Sequence, residues 1–164
     1  MQHVDDWFQV KPSSIHGKGL FAKKHIPKNT LFLLKTSRPT TIDSSHSPNT
    51  YLLQYFINTE NIDSSCIIDN KLVSLESIWH ELHEDVFKYK NVRCKENFMF
   101  ANDLGWPAEN LCYYDSNCRK NNIEFLLVLS NTVPRRIIGV SANVIKDILP
   151  HQEAGIVYGF DFWK

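Results

Sequence analysis

No run of about 18 apolar residues occurs in the chain, so no membrane span is predicted. An excess of one charge is also missing, since Lys plus Arg number 18 and Asp plus Glu number 18. A bulk electrostatic grip on DNA or RNA is therefore not expected, and no direct nucleic-acid partner is predicted. Residues Met1 to Asp6 lack the basic and apolar regions of a secretory signal. That predicts an intracellular protein in a reducing compartment. Cys66, Cys94, Cys112 and Cys118 form no C-x-x-C pair. The gap between Cys112 and Cys118 is wider than the roughly two to four residues of a structural zinc site. His80 and His83 do not have the H-E-x-x-H spacing that places two imidazoles on one zinc. No metal is expected, and no internal repeat or low-complexity tract is visible.

What is present suffices for one domain over residues 1–164, with 43% apolar residues and 12% aromatics. Phe8 to Lys11 reads as a strand ending at Pro12, and Leu31 to Leu34 as a buried strand after a turn at Ile26 to Asn29. Ser37 to Asn49 is rich in Ser, Thr and Pro and reads as loop; Tyr51 to Ile57 fits a short helix or a strand. Leu75, Ile78, Trp79, Leu82, Val86 and Phe87 recur at helical spacing, which predicts a helix over 74–90 with Ser74 as N-cap. Ile123 to Leu129 and Arg136 to Val140 read as strands, and a last strand leads to Tyr158. Strands at both ends around a central helix predict a β-rich α+β domain with a helical insert.

Two short segments stand out as chemistry. Ser14-Ile15-His16-Gly17-Lys18-Gly19-Leu20-Phe21-Ala22 places glycines two apart before an apolar anchor. Such a loop exposes bare backbone to a ligand, although taken alone it is equally a tight turn. Gly155-Ile156-Val157-Tyr158-Gly159-Phe160-Asp161-Phe162-Trp163 sets a tyrosine within an apolar, aromatic run. Alone, that tyrosine is a core residue with a hydrogen-bonded tip. Between them lies Phe98-Met99-Phe100-Ala101-Asn102-Asp103-Leu104, whose Asn-Asp pair alone is a turn dipeptide.

In that order and spacing the three segments resemble the SET-domain protein lysine methyltransferases. The first matches the motif S-x-I-H-G-x-G-L-F-A, and the resemblance implies that Gly17, Lys18, Gly19 and Leu20 flank S-adenosylmethionine. The middle one, Phe98 to Leu104, stands where the family reads R-F-I-N-H-S. Asn102 matches its cofactor-binding asparagine, and Asp103 replaces its histidine, leaving a main-chain contact to the cofactor. Asn121-Asn122-Ile123 takes the place of a P-N-A element, with Asn122 supporting the site through the family's knot-like threading. Asp147-Ile148 and Gln152-Glu153 match x-D-I-x-x-G-E-E, with His151 in the glycine position. The ending is similar to the small viral SET proteins, which close soon after Y-G-x-D-Y-W, with Phe162 in place of their last tyrosine. The resemblance covers 7–35 and 98–163. Residues 36–97 correspond to the family's variable insert, and 104–121 has no counterpart.

The resemblance implies a SET-type β-clip fold with Tyr158 as the catalytic tyrosine and S-adenosylmethionine as cofactor. Phe160, Phe162 and Tyr51 would line a lysine channel, and Trp163 would contact the cofactor. The implied substrate is a protein or peptide bearing lysine, histone or otherwise. The cysteine-rich flanking modules of many relatives are missing. Phe160 to Trp163 or a partner subunit, as in a homodimer, would close the site instead. The implied compartment is nucleus or cytoplasm, or a host cell for a viral or bacterial protein. An inactive binding protein on the same fold is the main alternative, since Asp103 and His151 depart from the pattern. A plain β-rich interaction domain is the other.

Overall fold

A computed structural model describes residues 3–15, 17–34, 40–41, 52–55, 57, 59, 62–88, 90–93, 101–104 and 120–156, with 40–41, 52–55 and 90–93 described by backbone alone. In chain order the elements are α1 (Val4–Trp7), β1 (Phe8–Pro12), β2 (Lys18–Ala22), β3 (Leu31–Leu33), β4 (Thr40–Thr41), β5 (Leu52–Tyr55), β6 (Ser65–Ile68), β7 (Lys71–Ser74), β8 (Lys90–Arg93), β9 (Ile123–Leu129), β10 (Ile137–Val144) and β11 (Glu153–Ala154). Two 3₁₀ turns, Glu76–Glu81 and Glu84–Phe87, lie between β7 and β8. The described chain is thus β-rich, with one short α-helical turn. No helix among the described residues is long and apolar enough to cross a bilayer. The chain divides into two compact units, one of residues 1–33, 96–125 and 142–164, the other of 34–95 and 126–141.

In the first unit, β1 and β2 form an antiparallel hairpin with Val10 opposite Leu20 and Lys11 opposite Gly19. The other edge of β2 is taken by β11, with Ala154 opposite Leu20. This central place explains why Leu20 and Ala22 are fully buried. Phe8 packs on Phe32 with ring centroids 5.2 Å apart, and Trp7 meets the same ring edge-on at 6.0 Å. Full burial of such a side chain contributes about 1.5–3 kcal/mol. Ile26 and Ile148, both fully buried, exchange backbone hydrogen bonds across an isolated bridge. The turn before β3 is closed by Asn29 at φ 74°, a left-handed conformation in which Asn is enriched.

The second unit is built on the β6–β7 hairpin. Its two-residue turn, Asp69-Asn70, has both residues left-handed, as the right-handed twist of paired strands favours. β6 also pairs in parallel with β9, through Ile67 and Val128. Cys66, Ile68, Leu75, Ile78, Val86 and Leu129 form the core. Burial pushes the Cys66 thiol up to about 11 against a smaller lowering by Arg135. A small separate sheet has β8 between β4 and β5, so the 51–57 segment holds a strand.

The helix expected over 74–90 is absent. Ser74, read as its N-cap, is the last residue of β7, and the two 3₁₀ turns are separated by extended backbone at Leu82 and His83. Arg135 supplies the reason. Its amide donates to the Glu81 carbonyl at 2.7 Å, and its carbonyl accepts from the His83 amide at 2.9 Å. Its guanidinium donates to Glu81 Oε1 through Nε at 2.9 Å and Nη2 at 2.8 Å. A helix would need those Glu81 and His83 backbone groups for itself. The His83 side chain then caps the second turn, its Nδ1 accepting from the Asp85 amide. The apolar stripe still converges, since the Trp79 and Phe87 rings meet at 5.3 Å across the break. The strand expected over 136–140 is also longer, continuing to Val144.

Candidate functional site

The hairpin turn between β1 and β2 is closed by the Ser13 amide, which donates to the Gly17 carbonyl at 2.8 Å. The Ser13 hydroxyl accepts from the Ile15 amide at 3.0 Å. Gly17 is left-handed at φ 48°, and a side chain built on it would meet nothing within 4 Å. Bare backbone is therefore approachable at Gly17. Gly19 differs. A Cβ there would lie inside van der Waals contact of Glu153 Oε2, 2.9 Å from Ser13 Cβ and 3.0 Å from Glu153 Cδ. The missing side chain at 19 makes room for the protein's own Glu153. Lys18 is exposed and Leu20 is core.

Glu153 joins three parts of the chain. The Ser13 hydroxyl donates to both its oxygens at 2.9 Å. Asn102 donates through Nδ2 to Glu153 Oε2 at 2.9 Å and to the Lys18 carbonyl at 3.2 Å. Both amide hydrogens of Asn102 are thereby used, which fixes the orientation of this buried side chain. Hydrogen bonds onto an ionised carboxylate are stronger than neutral ones, so this cluster is a stiff joint.

The segment that carries Glu153 is threaded by hydrogen bonds on two sides. On one, Asn102 and Gly155 form a parallel bridge, and the Ile156 amide donates to the Asn102 carbonyl at 2.9 Å. On the other, the Gly155 carbonyl accepts from the Asn122 and Ile123 amides at 3.2 and 3.0 Å. The Asn122 side chain clamps the same stretch, accepting from the Gly155 amide at 2.9 Å and donating to the Glu153 carbonyl at 3.1 Å. A Cβ on Gly155 would collide with Leu104 Cγ and lie 2.7 Å from Asn121 Oδ1, so only glycine fits this crossing.

Asp103 is 2% exposed, and its Oδ1 accepts from Asn121 Nδ2 at 2.8 Å. Asn121 Oδ1 in turn accepts from the Leu104 amide at 2.8 Å. His151 stands at φ 69°, a left-handed backbone where glycine is the favoured residue.

The structure thus brings together Gly17, Lys18, Gly19, Asn102 and Asn122. Tyr158, Tyr51, Phe160, Phe162 and Trp163 lie outside the described residues. Sequence reading gave no role to Ser13, Asn121 or Glu153. Glu153 was placed in a motif, but its partners are 51 and 140 residues away and leave no local pattern.

Neither a family model nor a curated protein sequence matches the chain. Among solved structures, that of a Plasmodium falciparum protein described as a candidate histone methyltransferase superposes with a TM-score of 0.47 at 16% identity, covering 100% of both chains.

Proposed function

We propose that this protein is a SET-type enzyme that transfers a methyl group from S-adenosylmethionine to the side-chain amine of a protein lysine. One observation carries the proposal. Asn102 Nδ2 joins the Lys18 carbonyl to the Glu153 carboxylate, so three motifs read separately from the sequence meet in one cluster. The left-handed His151, in the position where the family has glycine, supports the same alignment.

The residues present fit a cofactor held by main chain. Gly17 offers open, bare backbone beside the fixed Asn102 amide, and Lys18 is exposed beside it. S-adenosylmethionine, when bound, supplies an activated sulfonium methyl. The protein's task is to orient a lysine amine and keep it neutral. Free lysine has a pKa of about 10.4, so deprotonation at pH 7 costs roughly 4–5 kcal/mol. An apolar wall that includes Phe160 and Phe162 would disfavour the ammonium. Tyr158 is assigned the polar group that aligns the amine. Phe162, in place of the tyrosine of the small viral SET proteins, would leave that wall one hydrogen bond poorer.

The second reading is an inactive binding protein on the same fold. The engagement of the Asp103 carboxylate with Asn121, where the family has histidine, favours it. Calorimetric titration of the intact protein with S-adenosylmethionine separates the two. The enzyme reading expects saturable binding, and no binding at millimolar cofactor overturns it. Radiolabelled methyl transfer to a peptide array then tests Tyr158. Tyr158→Phe is expected to keep cofactor binding and lose transfer, and full transfer by that variant would overturn the role of the tyrosine.

A further inference from the structure

Glu153 is half-buried, and the groups that bond its carboxylate are neutral. The Ser13 hydroxyl and the Asn102 amide donate to it, and no Lys, Arg or His among the described residues forms an ion pair with it. The basic neighbours are otherwise engaged. Lys11, opposite Gly19, sets its ammonium over the Phe21 ring, 5.5 Å from the centroid. The exposed Lys18 meets the cluster through its backbone carbonyl.

Withdrawing a charge from water is costly unless a partner of opposite sign offsets it. The geometry of the joint does not need that charge. A glutamine side chain at 153 could accept from Asn102 Nδ2 and donate to the Ser13 hydroxyl. The negative charge therefore calls for a reason beyond the hydrogen bonds. Its place supplies one. Glu153 Oε2 lies against Gly19, and Asn102 links it to the Lys18 carbonyl, so the charge backs the stretch of chain assigned to the cofactor. Ser13 and Asn102 occupy the carboxylate, so it acts by its field and not by touching a ligand.

The proposed reaction changes the charge that this field meets. On transfer the S–C bond breaks with its electron pair left on sulfur, and an N–C bond forms at the amine. The positive charge thus passes from cofactor to amine. S-adenosylmethionine carries a net positive charge, and its thioether product, S-adenosylhomocysteine, carries none.

We infer that Glu153 is a positioning residue whose charge favours the sulfonium cofactor over the neutral thioether product, and so assists exchange of one for the other. The inference rests on the proposed function.

The test measures binding alone, by calorimetric titration of the intact protein with S-adenosylmethionine and, separately, S-adenosylhomocysteine. Glu153→Gln removes the charge and keeps an acceptor for Asn102. It is expected to lower the ratio of cofactor affinity to product affinity about three- to tenfold, the size of a partly screened attraction between unit charges. Product affinity should stay within about twofold. An unchanged ratio overturns the inference, and so does a parallel loss of both ligands, which is what a merely structural role produces. Ser13→Ala removes a hydrogen bond and keeps the charge, so the ratio should hold; a fall equal to that of Glu153→Gln overturns the inference. A second measurement needs no variant. Added NaCl should weaken cofactor binding to the wild-type protein more than product binding, and an equal response of the two overturns the inference. If the wild-type protein binds neither ligand, the enzyme reading falls and this inference with it. If it binds both and the ratio does not move, this inference alone falls.

Discussion

Consider replacing Gly19 by alanine. The new methyl would press on the Glu153 carboxylate and lie 2.9 Å from Ser13 Cβ. The backbone of Gly19 is not left-handed, so alanine itself suits the strand and contributes about 0.4–1 kcal/mol by restricting the unfolded chain. Against this, overpacking costs about 1–3 kcal/mol. If Glu153 swings aside, the bonds from Ser13 and Asn102 go with it, and hydrogen bonds to a charged group are worth about 1.5–3 kcal/mol each. The net loss is roughly 2–3 kcal/mol, a fall of about 4–12 °C in melting temperature for a chain of this size. Glu153→Ala removes the obstacle. Gly19→Ala should then cost less by roughly 1–2 kcal/mol in the Glu153→Ala background, with a remainder from Ser13. Urea unfolding of the four proteins of the cycle, compared at equal m-value, measures that coupling. Additive effects within about 0.5 kcal/mol would refute the placement of Glu153 over Gly19.

Gly155→Ala drives a methyl into the Leu104 side chain and against Asn121 Oδ1, and Asn121 cannot retreat without giving up its bonds to Asp103 and the Leu104 amide. A loss of about 3 kcal/mol or more is expected, read as a fall in urea midpoint; a fall under about 1 kcal/mol would contradict the crossing. His151→Gly relieves a left-handed non-glycine backbone and should stabilise by about 0.5–1 kcal/mol, seen as a rise in melting temperature. The Asp147 carboxyl is held below the ordinary range, chiefly by the Lys28 amide and further by His25. A depressed carboxyl contributes stability that is present above its unfolded pKa of about 3.9 and is lost as pH falls through the lower folded value. Asp147→Asn should flatten melting temperature against pH in that acid window, and parallel curves for the two proteins would contradict this.

Strands were legible wherever local chemistry decided them. β1, β3 and β9 follow from short apolar runs bounded by Pro, Gly or Asn, although β3 is not the buried strand expected, since Leu33 is half exposed beside the buried Phe32. The helix expected over 74–90 failed for a non-local reason. Helical spacing and two 3₁₀ turns with a break both direct Leu75, Ile78 and Val86 into one core, and the arbiter is Arg135, some fifty residues on. The site divides in the same way. The glycine spacing and Asn102 could be picked out because motifs are local. Glu153 and Ser13 could not, because their importance lies in meeting each other across 140 positions.

The pairing of β11 with β2 has a consequence for synthesis on the ribosome. All residues of the second unit, 34–95 and 126–141, emerge before residue 142. The β1–β2 hairpin emerges earlier still, yet its inner edge stays bare until Glu153 and Ala154 appear. A nascent chain therefore carries an open strand edge through most of its translation, and that edge invites pairing with the wrong partner. The hydrogen-bonded joint at Glu153 is the step that retires this hazard, so its loss should lower the yield during expression as well as the stability of the finished protein.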